Sequence, residues 1–216
     1  MCQSNILFVI LNGRQQDTIH ENQVLYNGRE WTNFYFMINK DQFLFSKDFL
    51  PGSVTIRGKE FKNVKLRYDI LNDEILIPGN PGGILQLNKE MVDSFSIFFQ
   101  NKFYRFIRMP DDSNMGLQGF CNILHQGEIS LYVKYRKKIE KLTFKGENDE
   151  FYQISQLFLM KDSSIHLITG KNDLLKALDF DKNLIGDYIK KNKITISKES
   201  PEKIVPVIMF VETLRE

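Results

Sequence analysis

Val64-Lys-Leu-Arg-Tyr-Asp-Ile70, followed by Asn72-Asp73 and the returning run Glu74 to Ile77, decides the fold class. Val64, Leu66, Tyr68 and Ile70 fall on one face of an extended chain, and Lys65, Arg67 and Asp69 on the other. That is the pattern of a strand with one buried and one wet face. Asn72-Asp73 is expected to supply a two-residue hairpin turn, because both residue types tolerate positive φ.

Outward from this hairpin, residues 31 to 167 read as short runs of period two broken by turn residues. Upstream, Phe34, Phe36 and Ile38 alternate with Tyr35 and Met37. Gln42 to Lys47 forms a second run closed by a Pro51-Gly52 turn, and Val54 and Ile56 lead into Gly58-Lys59. Downstream, Ile84 to Leu87 is a short strand after the Pro78 to Gly83 loop. Hairpins are expected over Gln100-Asn101, Gln126-Gly127 and Lys161 to Ser164. Leu66, Tyr68, Phe95, Ile97, Leu131 and Val133 are expected to share one core. About ten strands result, which predicts a mainly β protein: an antiparallel sandwich or an open barrel.

The period changes after Gly170. Leu174, Leu175 and Leu178 recur at helical spacing behind Asn172, and Leu184, Ile185, Tyr188 and Ile189 form a stripe from about Lys182 to Lys191. Ser200-Pro201 opens a third apolar stripe through Ile204, Val205, Ile208 and Val211, although Pro206 speaks against a helix there. The organisation predicted is an N-terminal arm or signal remnant over 1–19, an antiparallel β-domain over 20–170, and a helical segment over 171–216 packed on it.

The 216 residues carry 29 basic and 27 acidic side chains, a net charge of +2, with 18 Phe, 8 Tyr and one Trp. An aromatic-rich composition suits pleated, half-buried surfaces. The balanced charge argues against a nucleic-acid partner. One dense basic stretch stands out, Lys134-Tyr-Arg-Lys-Lys-Ile-Glu-Lys141. It reads as a solvated strand end and turn, with a phosphate-contacting patch as the sharper alternative. Ile6 to Leu11 is too short to span a bilayer. It reads as a strand, a damaged export signal or an arm, and no other segment could cross a membrane.

Catalytic and metal signatures are lacking in the sequence. His20, His125 and His166 lie far apart, with no paired-ligand spacing. Cys121 has no base nearby in sequence, and it reads as a small buried hydrophobe. Asp69, Asn72, Asp73 and Glu74, like Asp111, Asp112 and Asn114, offer oxygen ligands without the spacing of a calcium loop, and turn chemistry accounts for both sets. Asn80-Pro-Gly-Gly83 lacks the ending of a phosphate cradle. Tyr35, Tyr104, Tyr132 and Tyr152 fall out of phase with some apolar neighbours, as packing residues or as an aromatic platform for a sugar or peptide. No catalytic, cofactor-binding or metal-ligating residue is assigned, and no cofactor is expected.

Arg67-Tyr-Asp-Ile-Leu-Asn-Asp73, Leu131-Tyr-Val-Lys-Tyr135 with its basic tail, and the ending from Asp173-Leu-Leu-Lys-Ala-Leu178 through Ile189-Lys-Lys-Asn-Lys193 resemble an uncharacterised family of exported β-rich proteins of Gram-negative bacteria. The resemblance covers roughly residues 20–214. It implies a β-rich exported protein with a short helical tail, and it favours a signal remnant over Ile6 to Leu11, although the intact signal peptide of that family is not seen here. The function expected is that of a non-enzymatic binding or assembly protein of the periplasm or outer membrane, with a protein partner. The alternatives are a β-barrel holding a small apolar or sugar ligand, and a hydrolytic enzyme.

Overall fold

The computed structural model describes residues 24–79, 82–110, 116–141 and 149–215. Cys2, the Ile6 to Leu11 run, His20, Asn80-Pro81 and the Asp111 to Asn114 cluster lie outside the described residues, as does the proposed arm over 1–19. Within them the protein is mainly β. Eleven strands form one open antiparallel sheet in the order β1-β5-β4-β3-β2-β6-β7-β8-β9-β10-β11. They are β1 (Gly28–Glu30), β2 (Leu50–Ile56), β3 (Lys59–Asp69), β4 (Glu74–Pro78), β5 (Ile84–Leu87), β6 (Val92–Phe99), β7 (Lys102–Met109), β8 (Gly119–His125), β9 (Ile129–Glu140), β10 (Glu150–Lys161) and β11 (Ser164–Ile168). Three helices follow: α1 (Lys171–Leu178), α2 (Lys182–Lys191) and α3 (Val205–Thr213).

Two-residue turns set the register of three hairpins, whereas the β3–β4 turn expected at Asn72-Asp73 spans residues 70–73 with only Asp73 among its residues at positive φ. Arg57-Gly58 and Gln100-Asn101 each place two consecutive residues at positive φ, the backbone twist that a two-residue hairpin needs. Asp162-Ser163 does the same between β10 and β11. The sheet curls until Lys137 N in β9 donates to Ile70 O just past β3, at 3.0 Å. Six strands from β3 to β9 thereby wrap a shared interior. Tyr68, Phe95, Phe106 and Phe120 fill it, with Phe95 and Phe106 stacked at 4.6 Å and Tyr68 edge-on to Phe95 at 5.1 Å.

The six residues expected to share one core are divided between two of the three buried clusters. Leu66, Tyr68, Phe95 and Ile97 lie among these rings. Leu131 and Val133 lie in a second cluster, beneath the helices. The division follows from the curl. Leu131, Val133 and Tyr135 share one face of β9, and Tyr135 touches both clusters. Helices cover the early half of that face, and Phe45 and Phe106 meet Tyr135 in the later half.

Residues 31–49 also differ from expectation. They form no extended strand; Asn39 and Phe43 make isolated bridges to Glu150 and Asp69. Asn33, Asp41 and Ser46 side chains accept from the amides of Tyr35, Phe43 and Asp48, and Lys40 and Phe45 sit at positive φ. Such local side-chain bonds compete with a sheet ladder. Pro51-Gly52, expected to turn the chain, lies inside β2. A Cβ at Gly52 would run into Ser96 O, so glycine is what lets β2 and β6 approach there. Pro206 is accommodated because it occupies the first turn of α3, where its missing N–H would have had no intrahelical acceptor. α2 begins behind Asp181, which accepts from the amides of Asn183 and Leu184.

Candidate anion-binding site

β9 leaves the helix-covered part of the sheet as it becomes basic. Lys134, Arg136, Lys137 and Lys138 then meet Lys89, from the short 3-10 turn Lys89–Met91, and Arg108, near the end of β7, around a cleft of about 270 Å³. Ile70, Leu71 and Asp73 of the β3–β4 turn form its other wall. Four of the six cations come from the sequence run read as a solvated strand end. Lys89 and Arg108 carry no local signal of belonging with them, because the juxtaposition depends on the curl of the sheet.

The floor is a buried polar knot. The side chain of Lys134 is 3% exposed; its ammonium donates to Asp73 Oδ1 at 2.9 Å and to Phe120 O at 3.0 Å. Tyr68 Oη also donates to Asp73 Oδ1, and Phe120 N donates to Asp73 Oδ2 at 3.2 Å. Burial, with the adjoining Asp73 carboxylate, raises the Tyr68 phenol well above its ordinary range. Gly119, at φ +72°, passes so close that a Cβ would fall on Asp73 Oδ2. A buried ammonium is tolerated when paired and hydrogen-bonded in this way.

Higher in the cleft the cations are held differently. Arg136 donates to Gln156 Oε1 at 3.1 Å and Gly116 O at 2.6 Å, and both acceptors are neutral, so the guanidinium is oriented without being neutralised by them. Arg108 donates to Glu90 O at 3.2 Å. Lys137 reaches the main-chain oxygen of Asp41 and its Oδ1 at 3.3 Å. Lys89 and Lys138 are exposed at the rim. Apart from Asp73, which is tied to Lys134, the charged side chains lining the cleft are cations; clustered cations draw in counter-ions, and planar guanidiniums suit carboxylate and phosphate oxygens.

Other candidate residues are placed elsewhere. His125 Nε2 lies 2.8 Å from Glu212 Oε2 of α3, whose Oε1 accepts from Ile129 N at 2.9 Å. The pair clamps α3 to the β8–β9 hairpin, and the nearby Ser130 hydroxyl donates to Gly127 O. His166 is in β11. Cys121 is fully buried, and burial pushes its thiol up to about 12. Asp69 accepts from Leu71 N, Asn72 N and Asn72 Nδ2, and Glu74 pairs with Arg29 at 3.3 Å. Among the described residues no three His, Cys, Asp or Glu side chains converge as metal ligands. The four tyrosines form no common platform: Tyr35 is edge-on to Phe151 and Tyr104 lies against Phe45, while Tyr132 is buried and Tyr152 opposes Lys138 across β9 and β10.

No family model, curated protein or solved structure matches the chain.

Proposed function

We propose that this protein acts by binding, and that the basic cleft is where it recognises an anionic group, a phosphate or a carboxylate, on its partner. The observation that carries this is Arg136, fixed by two neutral oxygens in a cleft that Lys89, Arg108, Lys137 and Lys138 also line, above the buried Lys134. The curled sheet is filled by aromatic rings, which favours recognition at the surface over enclosure of an apolar ligand. Non-enzymatic action in the periplasm or at the outer membrane is part of the proposal and rests on the sequence resemblance.

Phosphate at about five times its Kd should stabilise the native state by about 1 kcal/mol and raise Tm by about 2–4 °C. The comparison is sodium chloride at matched ionic strength. The double substitution Arg136→Ala, Lys138→Ala should abolish the shift. An equal shift with chloride, or a shift that survives the double substitution, would remove the cleft as the site.

A further inference from the structure

From this reading of the cleft, on which the inference rests, we infer that the partner is an anionic lipid surface, with lipid phosphates at the cleft and the 34–37 loop set into the bilayer interface. Phe34, Phe36 and Met37 are 80%, 76% and 68% exposed. They sit together on the irregular segment between β1 and β2, and they are large apolar side chains left in water. Singly exposed apolar residues are ordinary, whereas three within four residues make a patch that calls for a partner.

The loop is anchored rather than loose. Tyr35, between the exposed residues, packs edge-on against Phe151 at 5.8 Å. Asn39 N donates to Asp149 O and its carbonyl accepts from Phe151 N. Lys40 pairs with Glu150 at 3.0 Å. The apolar side chains are thus held outward by a fixed base.

Loop and cleft flank the same turn. Asn72 lines a depression together with Phe34 and Tyr35, and its neighbours Leu71 and Asp73 line the cleft. Lys137, which lines the cleft, is bonded to Asp41 at the foot of the loop. The base of the exposed apolar loop therefore adjoins the same turn as the clustered cations. Interfacial proteins combine apolar insertion with attraction to anionic headgroups in this way. A protein partner would be expected to meet its anchors in well-packed, desolvated pockets. Near-fully exposed tips need no such matching cavity in a fluid bilayer.

The experiment is co-sedimentation of the full chain with vesicles of phosphatidylcholine alone or mixed with phosphatidylglycerol. The wild type should bind the mixed vesicles and lose binding in high salt. Phe34→Ala with Phe36→Ala should weaken binding about tenfold or more, and Arg136→Ala with Lys138→Ala about fivefold per cation removed. An unchanged Tm for each variant shows that it is folded. Equal binding to neutral vesicles, or binding indifferent to the loop substitutions, overturns the inference. Inorganic phosphate and an acidic peptide are titrated in parallel by thermal shift. If either stabilises the wild type through Arg136 and Lys138 while no vesicle is bound, the lipid surface is wrong and the cleft reading survives. If neither ligand nor vesicle acts through these residues, both readings fail.

Discussion

A chain ended at Gly170 should fail to reach the native state, with no cooperative melting transition and strong binding of an apolar dye. Leu174, Leu178, Ile185, Ile189, Ile204, Val207, Ile208 and Val211 are buried together with Ile129, Leu131, Val133, Leu157, Leu159 and Ile168 of the sheet. Full burial of an aliphatic side chain contributes about 1.5–3 kcal/mol. Eight such side chains therefore match or exceed the roughly 5–15 kcal/mol that separates a folded domain from its unfolded chain. Polar contacts add to this: Lys161 Nζ donates to Leu178 O at 2.8 Å, and Glu212 is tied to His125 and Ile129. The helices are 8, 10 and 9 residues long, and isolated helices below about 12–15 residues are marginal in water. Each needs the sheet as much as the sheet needs it. Ile208→Ala supplies a graded version, costing about 2–5 kcal/mol in urea unfolding. A truncated chain melting within a degree of the full one would mean that the tail contributes nothing to the fold and is held for a partner.

Gly119→Ala should cost about 3–5 kcal/mol, an effect out of proportion to one methyl group. The added Cβ would fall on Asp73 Oδ2, pushing the carboxylate away from Lys134, Tyr68 and Phe120 N. Losing the partner of a buried charge costs about 3–5 kcal/mol, and positive φ adds strain of its own. Asp73→Ala should be comparably destabilising, since it leaves the Lys134 ammonium without its counter-ion. The two effects must not add. With Asp73 truncated the new methyl group meets only the flexible end of Lys134, whose Nζ lies 3.1 Å away and can shift by a few tenths of an ångström, so Gly119→Ala should then cost little more than the backbone strain, about 1 kcal/mol. Urea unfolding of the four proteins in the cycle gives the coupling, and full additivity would show that Asp73 is not what Gly119 makes room for.

Much of the sheet was readable because its determinants are local. The alternation of Val64 to Ile70 and the turn at Gln100-Asn101 reveal strand and hairpin without knowledge of any neighbour. The helix Lys182–Lys191 is legible because its apolar stripe ends at Ile189, just before Asn192. Residues 31–49 misled because Phe34, Phe36 and Ile38 alternate like a strand, while Asn33 and Asp41 capture the backbone amides that a ladder would use. β1 was missed: three residues give no period to read. The division of the core was hidden for a different reason, since alternation says which residues share a face of β9 but not what covers each half. The cleft was half legible. Its β9 cations are one conspicuous run, but Lys89, Arg108 and Asp73 join them only once Ile70 and Lys137 are brought together by the curl.

That the cleft binds anions is tested most directly by titrating uniformly 15N-labelled protein with inorganic phosphate at constant ionic strength. The amides of Leu71, Asp73, Gly119 and Arg136, at the cleft wall and floor, should shift together along one saturable curve. Gly127, in the turn before β9 and about 23 Å of extended chain from Lys134, the first β9 cation of the cleft, should stay in place. Shifts that never saturate, or that appear equally at Gly127, would contradict a binding site in the cleft.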